Sequence, residues 1–468
     1  MTAPYRRRLF LVVLLISSCF LHVARSLALT ASASRRGCLC SSQSRDNCIP
    51  SRRISPLWYR ELDDEDDEAD PSMLKVKTRV PLGYDMKKAI QEQYSPEGSQ
   101  PGDGVNRYLI RALTLNQYLI LGLAAAISAI IILTKGGPSA FNDLNAILQW
   151  SGTTDIFDFD LTIERLLLGI GTAIVQLTVS NYIESSDRRD FAKINLSTIT
   201  MCLSLFGRRS KPPTDFLPAP YKDGTRSFPT TPSIEAAKQS LIMSLITGFC
   251  EETVFRRLVP AMIVLLSGID GNVLIPYFGQ ALLFGLGHLQ PGSKLSENSI
   301  QVGLQVFNGL GFGLLYILAG GDIVPCMIAH ATYDFVVFFK TWKDANDQLE
   351  YAESKALEPF TSDVENEVRL LIRSTFDSKV DPSVVYKAIK RMFYLFDIDK
   401  NETLSLSEVR KGVAYMAIER KVGEPPPQAI IDRLYTEVAP PGESRLTFPD
   451  FLRLISLSKG KKVATSNI

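Results

Sequence analysis

Three clusters of ionisable residues interrupt long apolar runs in this chain of 468 residues. The first is Glu251-Glu252-Thr253-Val254-Phe255-Arg256, the second Phe284-Gly285-Leu286-Gly287-His288, and the third His330-Ala331-Thr332-Tyr333-Asp334. Glu252 and Arg256 are four residues apart, so on a helix they share a face and can pair. Glu251 is turned about 100° from Glu252 by helix geometry. It has no such local partner, and a desolvated carboxylate facing a cavity suits a general base. Phe284 shares a face with His288, and His330 shares one with Asp334. The glycines between Phe284 and His288 allow another helix backbone to come close. An ionisable group inside a bilayer costs about 2.5–3.5 kcal/mol on insertion scales, so each of these needs a reason. Taken singly, a buried Glu–Arg pair also reads as a structural clamp and a membrane histidine as packing. The conjunction is more specific: the chain has three histidines, and both of those beyond the leader, His288 and His330, fall in these clusters.

The elements that must position the clusters are membrane helices. Residues 117–134 carry no charge and are about one bilayer crossing long. Further spans are expected at 161–183, 234–268, 273–289, 300–318 and 323–339, with Pro260 a kink or break in 234–268. That makes six. Residues 195–206 are too short to cross alone and read as an interfacial or re-entrant seventh segment. Loop charge is too evenly spread to orient the bundle.

The motifs EExxxR, FxxxH and Hxxx(N/D), in this order on successive membrane helices, resemble the CAAX-protease and bacteriocin-processing family of intramembrane endopeptidases. Its members include proteases that trim after a prenylated cysteine. The resemblance covers about 235–345. It implies that Glu251 and His288 activate a water, that Glu252 and Arg256 orient the site, and that His330 stabilises the oxyanion. The implied substrate is a membrane-embedded or prenylated peptide. Many members have asparagine where this chain has Asp334. An ionised aspartate repels an oxyanion, so Asp334 either holds His330 as a charged donor or is itself protonated. No HExxH zinc motif occurs. Two histidines and a glutamate are also a set that binds zinc with one open position, but the resemblance points to a metal-independent site. The competing readings are a non-catalytic, calcium-binding membrane scaffold or receptor and, more distantly, a channel or transporter with charged pore residues.

Composition bounds the rest. Apolar residues make up 46% of the chain and charged residues 22%, which excludes wholesale disorder. A net charge of +1 leaves no global pull toward nucleic acid, and none is expected as a partner. The lipid bilayer is the expected environment. Residues 1–28 read as a signal peptide, with Arg6, Arg7 and Arg8 before an apolar core. Residues 29–58 read as a transit-like segment, rich in Ser and Arg. Together they look like the two-part leader of plastids with extra membranes, although a signal peptide followed by a basic linker fits as well. A plastid membrane is therefore expected, with the endoplasmic reticulum or another endomembrane as the alternative. Residues 59–110 form an acidic linker with eight acids in 61–70, a density that keeps it solvated. The seven cysteines form no CxxC pair.

After the membrane domain at 111–345, a linker helix is expected at 346–376, a soluble helical module at 377–458 and a basic tail at 459–468. The fold class is all-α throughout. Within the module, Asp397, Asp399, Asn401 and Glu408 occupy positions 1, 3, 5 and 12 of a twelve-residue loop and supply hard oxygens. Thr403 would offer its carbonyl and Ser405 a water-mediated contact. The pattern resembles a calcium-binding EF-hand. Glu402 stands where glycine is usual, because the turn wants positive φ. A metal-free partner loop at 439–450 would pair with it, Leu446 facing Leu404.

Overall fold

A computed structural model describes residues 104–135, 161–217, 219–222, 224, 227–267, 274–289, 295–359, 366, 368–370, 382–419, 426–439 and 444–458. The expected signal peptide, transit-like segment, most of the acidic linker and the basic tail lie outside the described residues. The chain divides into two compact units, and among the described residues the division falls between Glu350 and Tyr351.

The first unit is helical. It contains α1 (Arg107–Lys135), α2 (Ile163–Ser185), α3 (Arg189–Phe206), a 3-10 turn (Thr214–Phe216), the short α4 (Ala219–Lys222) and α5 (Ser233–Glu252). A π turn (Thr253–Leu258) joins α5 to α6 (Val259–Ser267), followed by α7 (Leu274–Gly287), α8 (Leu295–Leu318) and α9 (Val324–Leu357). Among the described residues, three stretches are long and apolar enough to cross a membrane: Arg107–Ile131, Ile163–Ser185 and Ser299–Leu318. The protein is an integral membrane protein. The remaining expected spans differ for physical reasons. α5 and α9 carry the charged clusters, and α7 has 14 residues, about 21 Å at 1.5 Å per residue against a core of about 30 Å.

Pro260 does not break its helix, which runs on as α6. The irregularity lies before it, where the Val259 N–H bonds to Val254 O, five residues back. Proline lacks an N–H, so the i−4 ladder is already interrupted there. A π turn is one way to re-register the chain, and such turns recur at functional sites. This one carries Arg256.

The start of α9 is fixed by Asp322. Its Oδ1 accepts the Val324 N–H at 2.9 Å, and its carboxylate pairs with Arg165 of α2. Pro325 in the first turn suits a helix start. Of the two glycines expected to admit a neighbouring backbone, Gly285 does so: a Cβ there would lie 2.9 Å from Val302 O of α8. Gly287 does not, because its nearest neighbour would be the tip of Phe255 at 3.7 Å.

The second unit contains the end of α9, then α10 (Pro382–Phe396), β1 (Leu404–Ser405), α11 (Leu406–Glu419), α12 (Gln428–Val438), β2 (Arg445–Leu446) and α13 (Phe448–Ser458). The two strands pair antiparallel with Leu404 opposite Leu446 and Ser405 opposite Arg445. Both leucines are fully buried, in one core with Phe393, Phe448 and Phe451. The buried Lys390 donates to Glu358 O just past the end of α9, at 2.5 Å. A cation there satisfies a carbonyl that the helix leaves open. The linker helix expected at 346–376 begins as a continuation of α9, not as a separate element.

Candidate active site

The site is built where α1, α5, the π turn, α7, α8 and α9 meet. Glu251 and Glu252 end α5, Arg256 lies in the π turn, His288 follows α7, and His330 and Asp334 stand on α9. Close approach of α5 to α9 is permitted by Gly248. A Cβ at that position would lie 3.0 Å from Met327 O and 3.1 Å from Ala331 N, both backbone atoms. Gly248→Leu should therefore push α9, and His330 with it, out of place. We expect about 1–3 kcal/mol of destabilisation from overpacking, and thermal unfolding in detergent checks this.

The innermost contacts are charged. Arg256 Nε lies 2.9 Å from Glu252 Oε2, and neither side chain has solvent access. The other Glu252 oxygen, Oε1, lies 2.7 Å from His330 Nδ1. Glu252 therefore bridges Arg256 to His330, linking two clusters that the sequence pairs only internally. With a carboxylate as acceptor, Nδ1 carries a hydrogen and donates it. The other ring nitrogen, Nε2, lies 3.5 Å from Asp334 Oδ2 and 3.9 Å from Glu251 Oε2. Those separations are too long for direct hydrogen bonds and are of the kind a water bridges. Three carboxylates thus surround one imidazole.

Aromatic faces hold Arg256 and His330 in place. Arg256 stacks over Phe284 and Phe312, at 5.0 and 5.3 Å from the ring centroids. Phe312 also stacks on His330 at 5.1 Å. Cation–π contacts are worth most when desolvated, as here. Arg256 Nη1 donates to Gln280 Oε1, and Gln280 Nε2 donates in turn to Gly309 O at 2.9 Å and Tyr277 O at 3.0 Å. Gln280 is buried and ties the guanidinium to α7 and α8 together.

His288 is placed differently. Its Nδ1 lies 2.8 Å from Phe284 O, so Nδ1 must be the donor and, in the neutral ring, Nε2 is left as an acceptor. The His288 ring packs 4.7 Å from Phe284. Among the described residues its side-chain hydrogen bond goes to Phe284 O and not to Glu251. The imidazole facing Glu251 is that of His330.

Three participants were missed by motif reading: Gln117, Gln280 and Phe312. Gln117 Nε2 donates to Glu251 Oε1 at 2.8 Å from α1. The available signal was polarity inside apolar runs, Gln117 at the head of the first span and Gln280 in the middle of α7. Phe312 carried none.

In the second unit, Asp397, Asp399 and Glu408 bring oxygen atoms within 4.8 Å of one another, a spacing that can hold a metal ion. Asp397 accepts the backbone N–H groups of Asn401 and Glu402 at 3.0 Å each, and the Tyr351 hydroxyl at 2.6 Å. Burial holds the Asp397 carboxyl above the usual carboxylate range, against those hydrogen bonds, which pull it down. Glu408 folds back over the loop and accepts from Ile398 N at 2.9 Å and from Ser405 N and Oγ at 2.9 and 2.7 Å. Asn401 Oδ1 accepts from the Thr403 N–H at 2.9 Å. Glu402 takes φ +65°, the left-handed conformation that favours glycine.

A model of the Rce1-like family, described as type II CAAX prenyl endopeptidase Rce1-like, matches residues 234–336. That stretch contains Glu251, Glu252, Arg256, His288, His330 and Asp334, and leaves out Gln117. Comparison with curated proteins and with solved structures found no match.

Proposed function

We propose that the protein is an intramembrane endopeptidase of the CAAX prenyl type, in which Glu251 activates a water for attack on a peptide bond. The observation that carries this reading is the buried Glu251 carboxylate facing His330 Nε2 at 3.9 Å, inside the segment that matches the endopeptidase family. Glu251 takes a proton from the water, and the oxygen attacks the carbonyl carbon. The tetrahedral oxyanion is stabilised by donation from His330 Nε2. As the C–N bond breaks, the proton passes to the leaving nitrogen, with His288 Nε2 as a relay. Glu252 and Arg256 fix the His330 ring through the Nδ1 contact. Asp334 holds His330 from the same side as Glu251 and favours its donor form.

The substrate class is a peptide presented from the membrane, cut next to a prenylated cysteine. The test is a matched pair of peptides, prenylated and unprenylated, incubated with the reconstituted protein and analysed by mass spectrometry. The prenylated peptide should be cut and the unprenylated one spared; equal cutting of both would remove the prenyl requirement. The membrane we favour is that of a plastid, on leader composition alone. A fluorescent protein carrying residues 1–58 should reach plastids, and retention in the endoplasmic reticulum would overturn that assignment.

We also propose that the second unit is an EF-hand pair with one calcium loop. Asp397, Asp399, Asn401 and Glu408 would hold the ion with side-chain oxygens, Thr403 with its carbonyl and Ser405 through water. The antiparallel Leu404–Leu446 pair supports this reading, as does the +65° φ at the sixth loop position. Arg445, bonded to Asp399 Oδ2 at 2.9 Å, competes with the ion for that oxygen. Glu408→Gln should weaken calcium binding by the full chain at least about tenfold, since it removes the bidentate ligand. Isothermal titration reads this directly, and equal affinity in the variant would refute the loop. Calcium control of proteolysis is part of the proposal. Equal cleavage rates in calcium and in chelator would remove it.

A further inference from the structure

The two oxygens of Glu251 are not equivalent. Oε1 accepts the Gln117 amide at 2.8 Å. Oε2 is buried and, among the described residues, receives no hydrogen bond; His330 Nε2 stands 3.9 Å away. Gln117 Oε1 is likewise buried with no donor among the described residues. Buried acceptors without donors are uncommon in folded proteins, and a catalytic role or a bound water is among the reasons for one. Here the carboxylate sets the orientation of the amide, because an ionised carboxylate takes only donors and the NH₂ must face it.

We propose that Gln117 is a positioning residue of the hydrolytic site: by occupying Glu251 Oε1, it assigns Oε2 as the oxygen that takes the proton of the attacking water. The inference rests on the protease reading above and extends it to α1, outside the matched segment. The water gives one hydrogen to Oε2 as its oxygen bonds to the carbonyl carbon. Its second hydrogen is accepted by Gln117 Oε1, which satisfies both buried acceptors with one molecule. The same Oε2 then releases the proton toward the leaving amine as the C–N bond breaks. Without Gln117 the carboxylate is free to rotate, and either oxygen, or neither, meets the water.

The test measures kcat and KM for Gln117→Leu, Gln117→Glu and Glu251→Gln across pH, with the melting temperature of each. For Gln117→Leu, kcat should fall roughly 10–100-fold, as for a misplaced reacting group, with KM little changed. Gln117→Glu is isosteric and keeps the packing. Its introduced carboxyl can donate to Glu251 only while protonated, so activity should persist in acid and fall as pH rises and the two carboxylates repel. The wild-type protein should not show that fall. A Gln117→Leu variant with wild-type kcat, or a Gln117→Glu variant with the wild-type pH profile, would overturn the inference while Glu251→Gln remains inactive. Should Gln117→Leu fail to fold, the pH profile of Gln117→Glu decides alone. Cleavage that survives Glu251→Gln would instead overturn the protease reading itself.

Discussion

Glu251→Gln should lower turnover by about 10²–10⁴-fold or more, the range expected when a general base is lost, without unfolding the protein. The substitution preserves side-chain shape, and Gln117 still meets an amide oxygen at the Oε1 position. What disappears is the acceptor aimed at His330 Nε2 across 3.9 Å. In the proposed mechanism the carboxylate acts on water and not on the part of the substrate that binds, so KM should change little. Thermal unfolding in detergent provides the control. A variant that melts like the wild type and cleaves at the wild-type rate would remove Glu251 from the mechanism.

The second large effect is on stability. Arg256→Met removes the cation beside Glu252, whose carboxylate is fully buried. It also strips Gln280 Oε1 of its donor and leaves Phe284 and Phe312 without the guanidinium between them. Breaking one side of a buried ion pair costs about 3–5 kcal/mol, most of it the penalty of the stranded charge. Activity should vanish with stability, because Glu252 Oε1 holds His330 Nδ1. The double variant Glu252→Gln/Arg256→Met discriminates among causes. Replacing both partners of a buried pair is often close to neutral, so stability should largely return. Activity should not, since a neutral amide no longer fixes the His330 ring as a carboxylate does. A loss below about 1 kcal/mol for Arg256→Met, the level of an exposed pair, would contradict the account.

The sequence made much of this legible at short range. Glu252 and Arg256 are paired as their i,i+4 spacing requires, and His330 faces Asp334 across the same interval. Helical periodicity sufficed there, because both partners lie on one rod. The all-α class was legible as well, and of the six expected spans those at 117–134, 161–183 and 300–318 overlap the three stretches that are long and apolar enough to cross a membrane among the described residues. In the second unit, the Leu404–Leu446 pairing was legible because each leucine is the eighth residue of its twelve-residue stretch, 397–408 and 439–450.

Contacts between rods were not legible. Glu252 meets His330 across 78 residues and Gln117 meets Glu251 across 134. Nothing in a single sequence says which helices are neighbours or how they are rotated. The π turn was hidden for a related reason. Pro260 signals that a backbone bond is missing but not which turn absorbs the change, and the turn that does is the one holding Arg256. Gly285 and Gly287 are equivalent in sequence, yet only Gly285 faces the neighbouring backbone. The histidine assignments divide similarly. Spacing brought both imidazoles into the account, while packing decided that His330 stands against Glu251 and His288 bonds to its own helix.

The most direct measurement is the identification of peptide products released from a prenylated substrate by purified wild-type protein and by Glu251→Ala in the same detergent. Cleavage products should appear with the wild type and be absent with the variant, while both proteins keep the same melting temperature. Identical products from the two proteins, or an intact substrate after incubation with the wild type, would contradict a carboxylate-activated water as the working part of this site.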